Sequence, residues 1–163
     1  MKQILSFNLL FFLIFFSACI TKPDFPIEPY LEYTGMDKNI MIQGDFNSDS
    51  IFIYLKFTDG DGDLGFEAED SLPNLFVIDS RTDNIAESIK IPKLPDTGTG
   101  NGVSGEIELK LYTTCCLFSD NIPPCSVIDN IPTDTLYYKI YMIDRAGHSS
   151  DTVYTDPIIL ECK

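Results

Sequence analysis

Apolar and polar residues alternate along two stretches of this chain. In residues 51–58 (IFIYLKFT), Ile51 begins a row of apolar residues at every second position, and in residues 106–112 (EIELKLY) Ile107 begins another. Because successive side chains of a strand point to opposite faces, a period of two places one apolar row against a core. Both stretches are therefore predicted to be half-buried β-strands.

The sequence after residue 18 also favours strands over helices, because it is poor in Ala and Gln and rich in Ile, Thr, Tyr and Phe. Gly, Pro, Asn and Asp punctuate it into further short apolar segments. These predicted strands are residues 40–43, 75–79, 85–91, 136–143 and 153–161. The last two are predicted to form a hairpin around residues 144–147, where Gly147 supplies a positive φ.

Six or seven short strands without a convincing helix between them predict an all-β fold. We expect an antiparallel immunoglobulin-like β-sandwich, and a small closed β-barrel is the alternative that strand spacing alone does not separate from it. A chain of 163 residues is long enough for one ordinary domain. We assign that domain to residues 34–163.

The first eighteen residues have the pattern of a secretory signal peptide. Lys2 precedes an uninterrupted apolar run over residues 9–16, and small Ser17 and Ala18 follow it. A membrane-spanning anchor is disfavoured because Asn8 interrupts the segment, whereas a span needs about 20 consecutive apolar residues.

The junction Phe16-Ser17-Ala18-Cys19 resembles the lipobox of bacterial lipoproteins, with Phe in place of the usual Leu. The resemblance implies cleavage before Cys19, lipidation of Cys19 and stable membrane anchoring through its acyl chains. Ile20 follows the cysteine, and the sorting rule of such lipoproteins then implies the outer membrane. Residues 20–30 contain three prolines, so residues 19–33 are interpreted as the lipidated cysteine and a short tether.

The chain is strongly acidic. Its Lys and Arg residues number 11 against 25 Asp and Glu, which gives a formal net charge of −14. Nucleic acid as a partner is excluded, because binding by phosphate neutralisation needs clustered cations.

Four cysteines remain once Cys19 is assigned to lipid: Cys115, Cys116, Cys125 and Cys162. An even number in an oxidising compartment predicts two disulfides, and adjacent cysteines rarely bridge each other. One of Cys115 and Cys116 is therefore expected to pair with Cys125 and the other with Cys162. A thiolate metal site is the alternative, although the chain has no C-x-x-C spacing and a single His.

Residues 58–70 (TDGDGDLGFEAED) form an acidic loop in which carboxylates alternate with glycines. Oxygen-rich, flexible ligation suits Ca²⁺. Counted as an EF-hand-type loop, the candidate ligands are Asp59, Asp61, Asp63, the carbonyl of Gly65, Glu67 and Asp70. Leu64 stands where an EF-hand needs Gly, and the flanking segments are strands, so the loop is not an EF-hand. The alternative is a solvated acidic turn.

Residues 57–65 (FTDGDGDLG) and 141–150 (YMIDRAGHSS) resemble two signatures of small secreted bacterial lipoproteins with one immunoglobulin-like domain and no assigned activity. In the second signature His148 replaces a common Asn. The resemblance implies a sandwich fold, a lipid anchor and no enzymatic activity.

No residue pattern indicates catalysis. His148 is the only histidine, and it lies in a predicted turn beside Ser149 and Ser150, where a solvated role is favoured over a catalytic dyad. The sequence favours a calcium-stabilised module on the outer membrane that binds a protein or glycan partner. The alternative is a structural or accessory lipoprotein of an envelope assembly without a soluble ligand. An enzyme acting on polysaccharide, which needs only two carboxylates, is the weaker third possibility.

Overall fold

The computed structural model describes residues 24–95, 102–119 and 121–163. The predicted signal peptide and the Cys19 lipidation site lie outside these residues. The described residues form strands, turns and loops, and they include no helix long and apolar enough to cross a membrane.

The described chain forms ten strands: β1 Tyr30–Met36, β2 Ile40–Ile42, β3 Ser50–Asp59, β4 Leu75–Asp79, β5 Ile85–Ile89, β6 Val103–Tyr112, β7 Thr133–Leu136, β8 Tyr138–Met142, β9 Val153–Tyr154 and β10 Ile158–Glu161. They make three sheets, with strand orders β1-β3-β6, β5-β4-β8-β9 and β2-β10-β7. All pairings are antiparallel except that of β10 with β2. None of these sheets closes into a barrel, so the predicted all-β sandwich is confirmed over the barrel alternative.

The two stretches with alternating apolar and polar residues form strands β3 and β6, as predicted. The two strands pair over their whole length, from Ser50 opposite Tyr112 to Asp59 opposite Val103. The apolar row of β3, from Ile51 to Phe57, is buried against inward residues of β4 and β8 such as Val77 and Ile140. Burying an aliphatic side chain of this size stabilises the fold by about 1.5–3 kcal/mol relative to exposure.

Two predicted strands are each divided in the structure. Residues 136–143 supply the end of β7 and all of β8, and these strands lie in different sheets with Tyr137 between them. Residues 153–161 supply β9 and β10, separated at Pro157, which has no N–H to donate to a ladder. Periodicity predicts strand content here, but it contains no information on a change of sheet.

Strand β1 has no counterpart among the strands predicted from the sequence. It covers residues 30–33, which the sequence analysis placed in the tether, and it buries Leu31 in the core. A register shift between Tyr33 and Gly35 breaks its alternation, so the period of two is absent from its sequence.

The cysteines pair within the predicted pattern. Cys115 is bonded to Cys125 and Cys116 to Cys162. The first bridge staples the long loop after β6, and the second joins that loop to the residue after β10. The spacing of the cysteines along the sequence does not decide between the two pairings that were left open.

The strand registers define two ends of the sandwich. At the acidic end, Asp59 ends β3 and residues 143–148 form the turn after β8. At the cysteine end, Tyr112 ends β6 and the disulfide-bonded loop follows it. Tyr138 begins β8 at the same end. Because a strand advances about 3.3 Å per residue, the ten residues of β3 span about 30 Å between the two ends.

Candidate metal centre

Four carboxylates meet at the acidic end. One oxygen from each of Asp59, Asp61, Asp63 and Asp144 lies within 4.8 Å of the others. Asp59 ends β3, Asp61 and Asp63 belong to the loop that follows it, and Asp144 follows β8. We call this group the acidic cluster. It could hold a metal ion, because converging carboxylate oxygens are the ligands of hard cations.

The loop of residues 60–65 is held in place by an apolar residue at its centre. Leu64 is fully buried in the core, and its N–H donates to Asp59 Oδ2 over 2.9 Å. Gly62 and Gly65 have positive φ values of 74° and 89°, which let the backbone curl around the cluster. Leu64 occupies the position where an EF-hand has glycine, and its burial in the sandwich core fixes this loop in a shape that differs from an EF-hand loop.

Asp144 is fixed by the hairpin between β8 and β9, which confirms the predicted turn. The His148 N–H donates to Asp144 Oδ1 over 2.8 Å, and His148 Nδ1 lies 2.8 Å from Oδ2. Gly147 has a φ of 94°, as the turn requires. The hydrogen bond to Asp144 raises the pKa of His148, which favours the charged imidazolium beside the cluster. His148 therefore serves to position Asp144.

Two carboxylate oxygens of the cluster are buried without a hydrogen-bond donor from the described residues: Asp59 Oδ1 and Asp63 Oδ1. Burial raises the pKa of Asp59 to about 6, with repulsion from Asp61 and Asp63 adding to the rise against the Leu64 hydrogen bond. Burial, followed by repulsion from Asp144 and Asp61, also raises the pKa of Asp63. Leaving a buried acceptor unsatisfied is costly, and a cation between the carboxylates would remove both the orphaned atoms and the repulsion.

The other three ligands predicted from the sequence have different partners. The Gly65 carbonyl accepts a hydrogen bond from the Arg145 guanidinium over 2.8 Å. Glu67 pairs with Lys93 at 2.6 Å, and Asp70 is exposed. Glu67 and Asp70 thus lie outside the group of four carboxylates, because the loop turns back after Leu64 instead of continuing around an EF-hand-type circle.

Asp144 is the ligand candidate that counting along the acidic loop missed. It lies far away in sequence, and only the packing of the β8 sheet against the β3 sheet around a shared core brings it to the same end. A signal was nevertheless present, because Asp144 stands in residues 141–150, the second of the two motifs that the sequence analysis quoted. Arg145, in the same motif, bridges to the acidic loop through Gly65.

The segment before β1 passes behind the acidic loop. The Gly60 N–H donates to the Pro26 carbonyl over 2.8 Å. A Cβ at Gly60 would overlap the carbonyl oxygens of Phe25 and Pro26. The residue next to Asp59 is therefore packed directly against the segment that leads from the N-terminus into the domain.

Comparison with known proteins adds no relative: no family model, no curated protein and no solved structure matches this chain.

Proposed function

We propose that this protein is a lipid-anchored, non-catalytic interaction module of the outer membrane, whose acidic end is organised by a Ca²⁺ ion bound to Asp59, Asp61, Asp63 and Asp144. The observation that carries the proposal is the buried Oδ1 of Asp59, which has no donor in the described chain and lies among three further carboxylates. Such an arrangement is unfavourable without a cation and favourable with one.

The donor set favours Ca²⁺ over other ions. The cluster offers only carboxylate oxygens and includes neither His nor Cys, and transition metals prefer nitrogen and sulfur ligands. Mg²⁺ demands compact octahedral geometry and retains its waters, whereas Ca²⁺ accepts six to eight oxygens in flexible arrangements. Four carboxylates, two of them on a loop that curls at two glycines, fit the second requirement better.

The same ion would join three parts of the chain. Asp59 belongs to the sheet of β3, Asp144 to the hairpin after β8, and Gly60 is packed against Pro26 in the segment before β1. With Cys19 as the lipidated residue, the membrane would lie six residues before Phe25, at most about 20 Å of extended chain. Calcium would thus fix the base of the domain next to its anchor.

A non-catalytic role is supported by the hydroxyls beside His148. The Asp144–His148 contact is of the kind that also orients catalytic histidines, but a catalytic dyad needs a nucleophile beside the imidazole. The Ser149 and Ser150 hydroxyls donate instead to the carbonyls of Ser150 and Asp151.

The test is thermal unfolding of the detergent-extracted full chain with calcium or with chelator. At a calcium concentration a hundredfold above Kd, mass action adds about 2.7 kcal/mol, which raises Tm by about 5–10 °C. Asp61→Asn, an exposed member of the cluster, should reduce this shift. Asp70→Asn, an exposed acid of the same loop outside the cluster, is the matched control and should leave it unchanged. A wild-type Tm that is insensitive to millimolar calcium would refute the proposal.

The anchor has its own test. Cys19→Ser should move the protein from the membrane fraction to the soluble fraction or leave an uncleaved precursor. Mass spectrometry of the wild-type protein should find acyl chains on Cys19, and an unmodified Cys19 would overturn the lipoprotein assignment while leaving the metal site open.

A further inference from the structure

The cysteine end carries a groove of about 390 Å³ between the edge strands β5 and β6. Ligand-binding pockets generally fall between about 300 and 1,000 Å³. The groove lies at the opposite end of the sandwich from the acidic cluster. Its polar lining comes from loops and strand ends: Asn47, Arg81, Asn84, Tyr112, Thr114 and Tyr138.

The walls of the groove are held rigidly. Arg81, in the turn between β4 and β5, donates to Asp79 and to Asp134 Oδ2, and its Nη1 also donates to the Cys115 carbonyl over 3.0 Å. The Cys115–Cys125 disulfide constrains the loop on the other side. Preorganised walls of this kind lower the entropic cost of binding a ligand.

Among the described residues that line the groove, Arg81 is the one cation, and the Lys110 ammonium at its border lies 4.7 Å from the centroid of the Tyr112 ring. The Arg81 guanidinium is only 10% exposed and is paired with two carboxylates, at 2.5 Å from Asp79 and 2.6 Å from Asp134. Glu87 also lines the groove. A phosphate, sulfate or uronate would therefore meet net negative charge, in a chain that is already strongly acidic.

Uncharged hydrogen-bonding groups are available in the groove. The side-chain amides of Asn47 and Asn84 and the Thr114 hydroxyl make no hydrogen bond with other described residues. The same holds for the hydroxyl of Tyr138, a residue that is 3% exposed and borders the groove. Burial, with the nearby Asp79 carboxylate, raises the pKa of Tyr138 to about 12, so its hydroxyl remains a donor. The Tyr112 ring, 46% exposed, adds an aromatic surface, part of which is covered by the Lys110 ammonium at 4.7 Å from the ring centroid.

We propose that this groove binds a neutral, hydroxyl-rich saccharide through the Tyr138 hydroxyl and the Asn47 and Asn84 amides. Several uncharged donors and acceptors beside an aromatic ring complement sugar hydroxyls and the apolar face of a pyranose ring. The proposal rests on the proposed function, since it names the partner class of the interaction module. It also places that partner about 30 Å from the tether end, on the side away from the membrane.

A peptide is the competing occupant, because β5 and β6 are both edge strands. An added peptide strand, however, would pair with one edge along its length. The unpartnered polar groups lie instead in the loop before β3, in the turn between β4 and β5, after β6 and at the first residue of β8. Because they come from four separate segments and not from one strand edge, they fit a compact ligand better than an extended one.

The test uses the detergent-extracted full chain with calcium present. Arrayed neutral oligosaccharides of glucose, mannose and galactose are compared with oligouronates and with a random peptide array, and neutral hits are titrated calorimetrically. We expect binding to one or more neutral saccharides. Tyr138→Phe should weaken it about tenfold through loss of a hydrogen bond from a buried hydroxyl. Asn84→Ala removes an exposed amide and should weaken it by a smaller factor. Tyr54→Phe, at a half-exposed tyrosine on the outer face of β3, is the control and should bind as wild type.

Each other outcome overturns the saccharide proposal. It is overturned if no neutral saccharide binds, if peptides or oligouronates bind instead, or if saccharide binding survives both groove variants. Calcium-dependent melting of the same preparations keeps the two proposals separate. A chain that responds to calcium but binds no saccharide retains its metal site, and a chain that binds saccharide without a calcium response retains the groove.

Discussion

Asp59 and Asp144 bring carboxylate oxygens within 4.8 Å of each other, although one ends a strand of the first sheet and the other follows a strand of the second. Both residues are buried, at 0% and 2% exposure. Two like charges in this position oppose the packing of the sheets at the acidic end. The acidic cluster is therefore a place where folding and cation binding depend on each other.

Asp144→Asn tests that dependence directly. The amide keeps the size of the side chain and can still accept from the His148 N–H, but it removes one of four anionic ligands. We expect calcium affinity to fall about tenfold or more, and the difference in stability between calcium and chelator to shrink with it. Calorimetric calcium titration and melts with calcium and with chelator measure the two effects. Unchanged affinity would show that Asp144 is not a ligand.

The sequence predicted the strands that face water on one side better than it predicted the connections between sheets. The rows from Ile51 and Ile107 show the period of two, because each is buried on one face only. Strand β1 was missed because its register shift near Gly35 interrupts that period. The division at Tyr137 was missed because both halves have strand composition, and only the tertiary fold assigns them to different sheets.

The candidate site was predictable to the extent that it is local. Asp59, Asp61 and Asp63 lie on one short loop, and their spacing alone suggested convergence. Asp144 required knowledge that the end of β8 meets the end of β3. Glu67 was drawn into the predicted ligand set by EF-hand counting, whereas Lys93, brought close by the fold, pairs with it.

The two disulfides should differ in their contribution to stability. In the chain-entropy account, the Cys116–Cys162 bridge closes a separation of 46 residues and the Cys115–Cys125 bridge one of 10, worth about 4 and about 3 kcal/mol. Cys116 and Cys162 are also buried in the core. Urea unfolding of the two paired Cys→Ala variants should therefore show the larger loss for 116/162. An equal or smaller loss there would contradict the assigned roles of the bridges.

Acid should weaken the Asp79–Arg81 pair. Burial alone would raise the pKa of the Asp79 carboxyl, but hydrogen bonds from Arg81 outweigh it and hold that pKa below its usual range. A lowered folded-state pKa stabilises the fold above the unfolded value of about 4, and that stabilisation is lost as the pH falls through the folded value.

Asp79→Asn should therefore reduce stability at pH 7 and flatten its decline between about pH 5 and pH 2. Urea unfolding across this range measures both changes. Asp83→Asn is the control, because Asp83 pairs with Lys139 at the surface with 73% of its side chain exposed, and exposed pairs contribute about 0–1 kcal/mol. If both variants behave alike, the buried network does not have the assigned role.

Gly60→Ala tests whether the acidic loop holds the segment that leads to the anchor. Its added methyl group would overlap the Phe25 and Pro26 carbonyl oxygens without removing any carboxylate, so the segment should detach while the four cluster residues remain. Overpacking of this kind costs about 1–3 kcal/mol. We expect faster hydrogen exchange and proteolysis at residues 24–29, measured by mass spectrometry with calcium present. Gly35→Ala is the control, since its methyl group would meet no atom within 4 Å although its φ of 144° also disfavours a side chain. Protection of residues 24–29 that is equal in both variants would show that Gly60 does not fix the tether to the calcium loop.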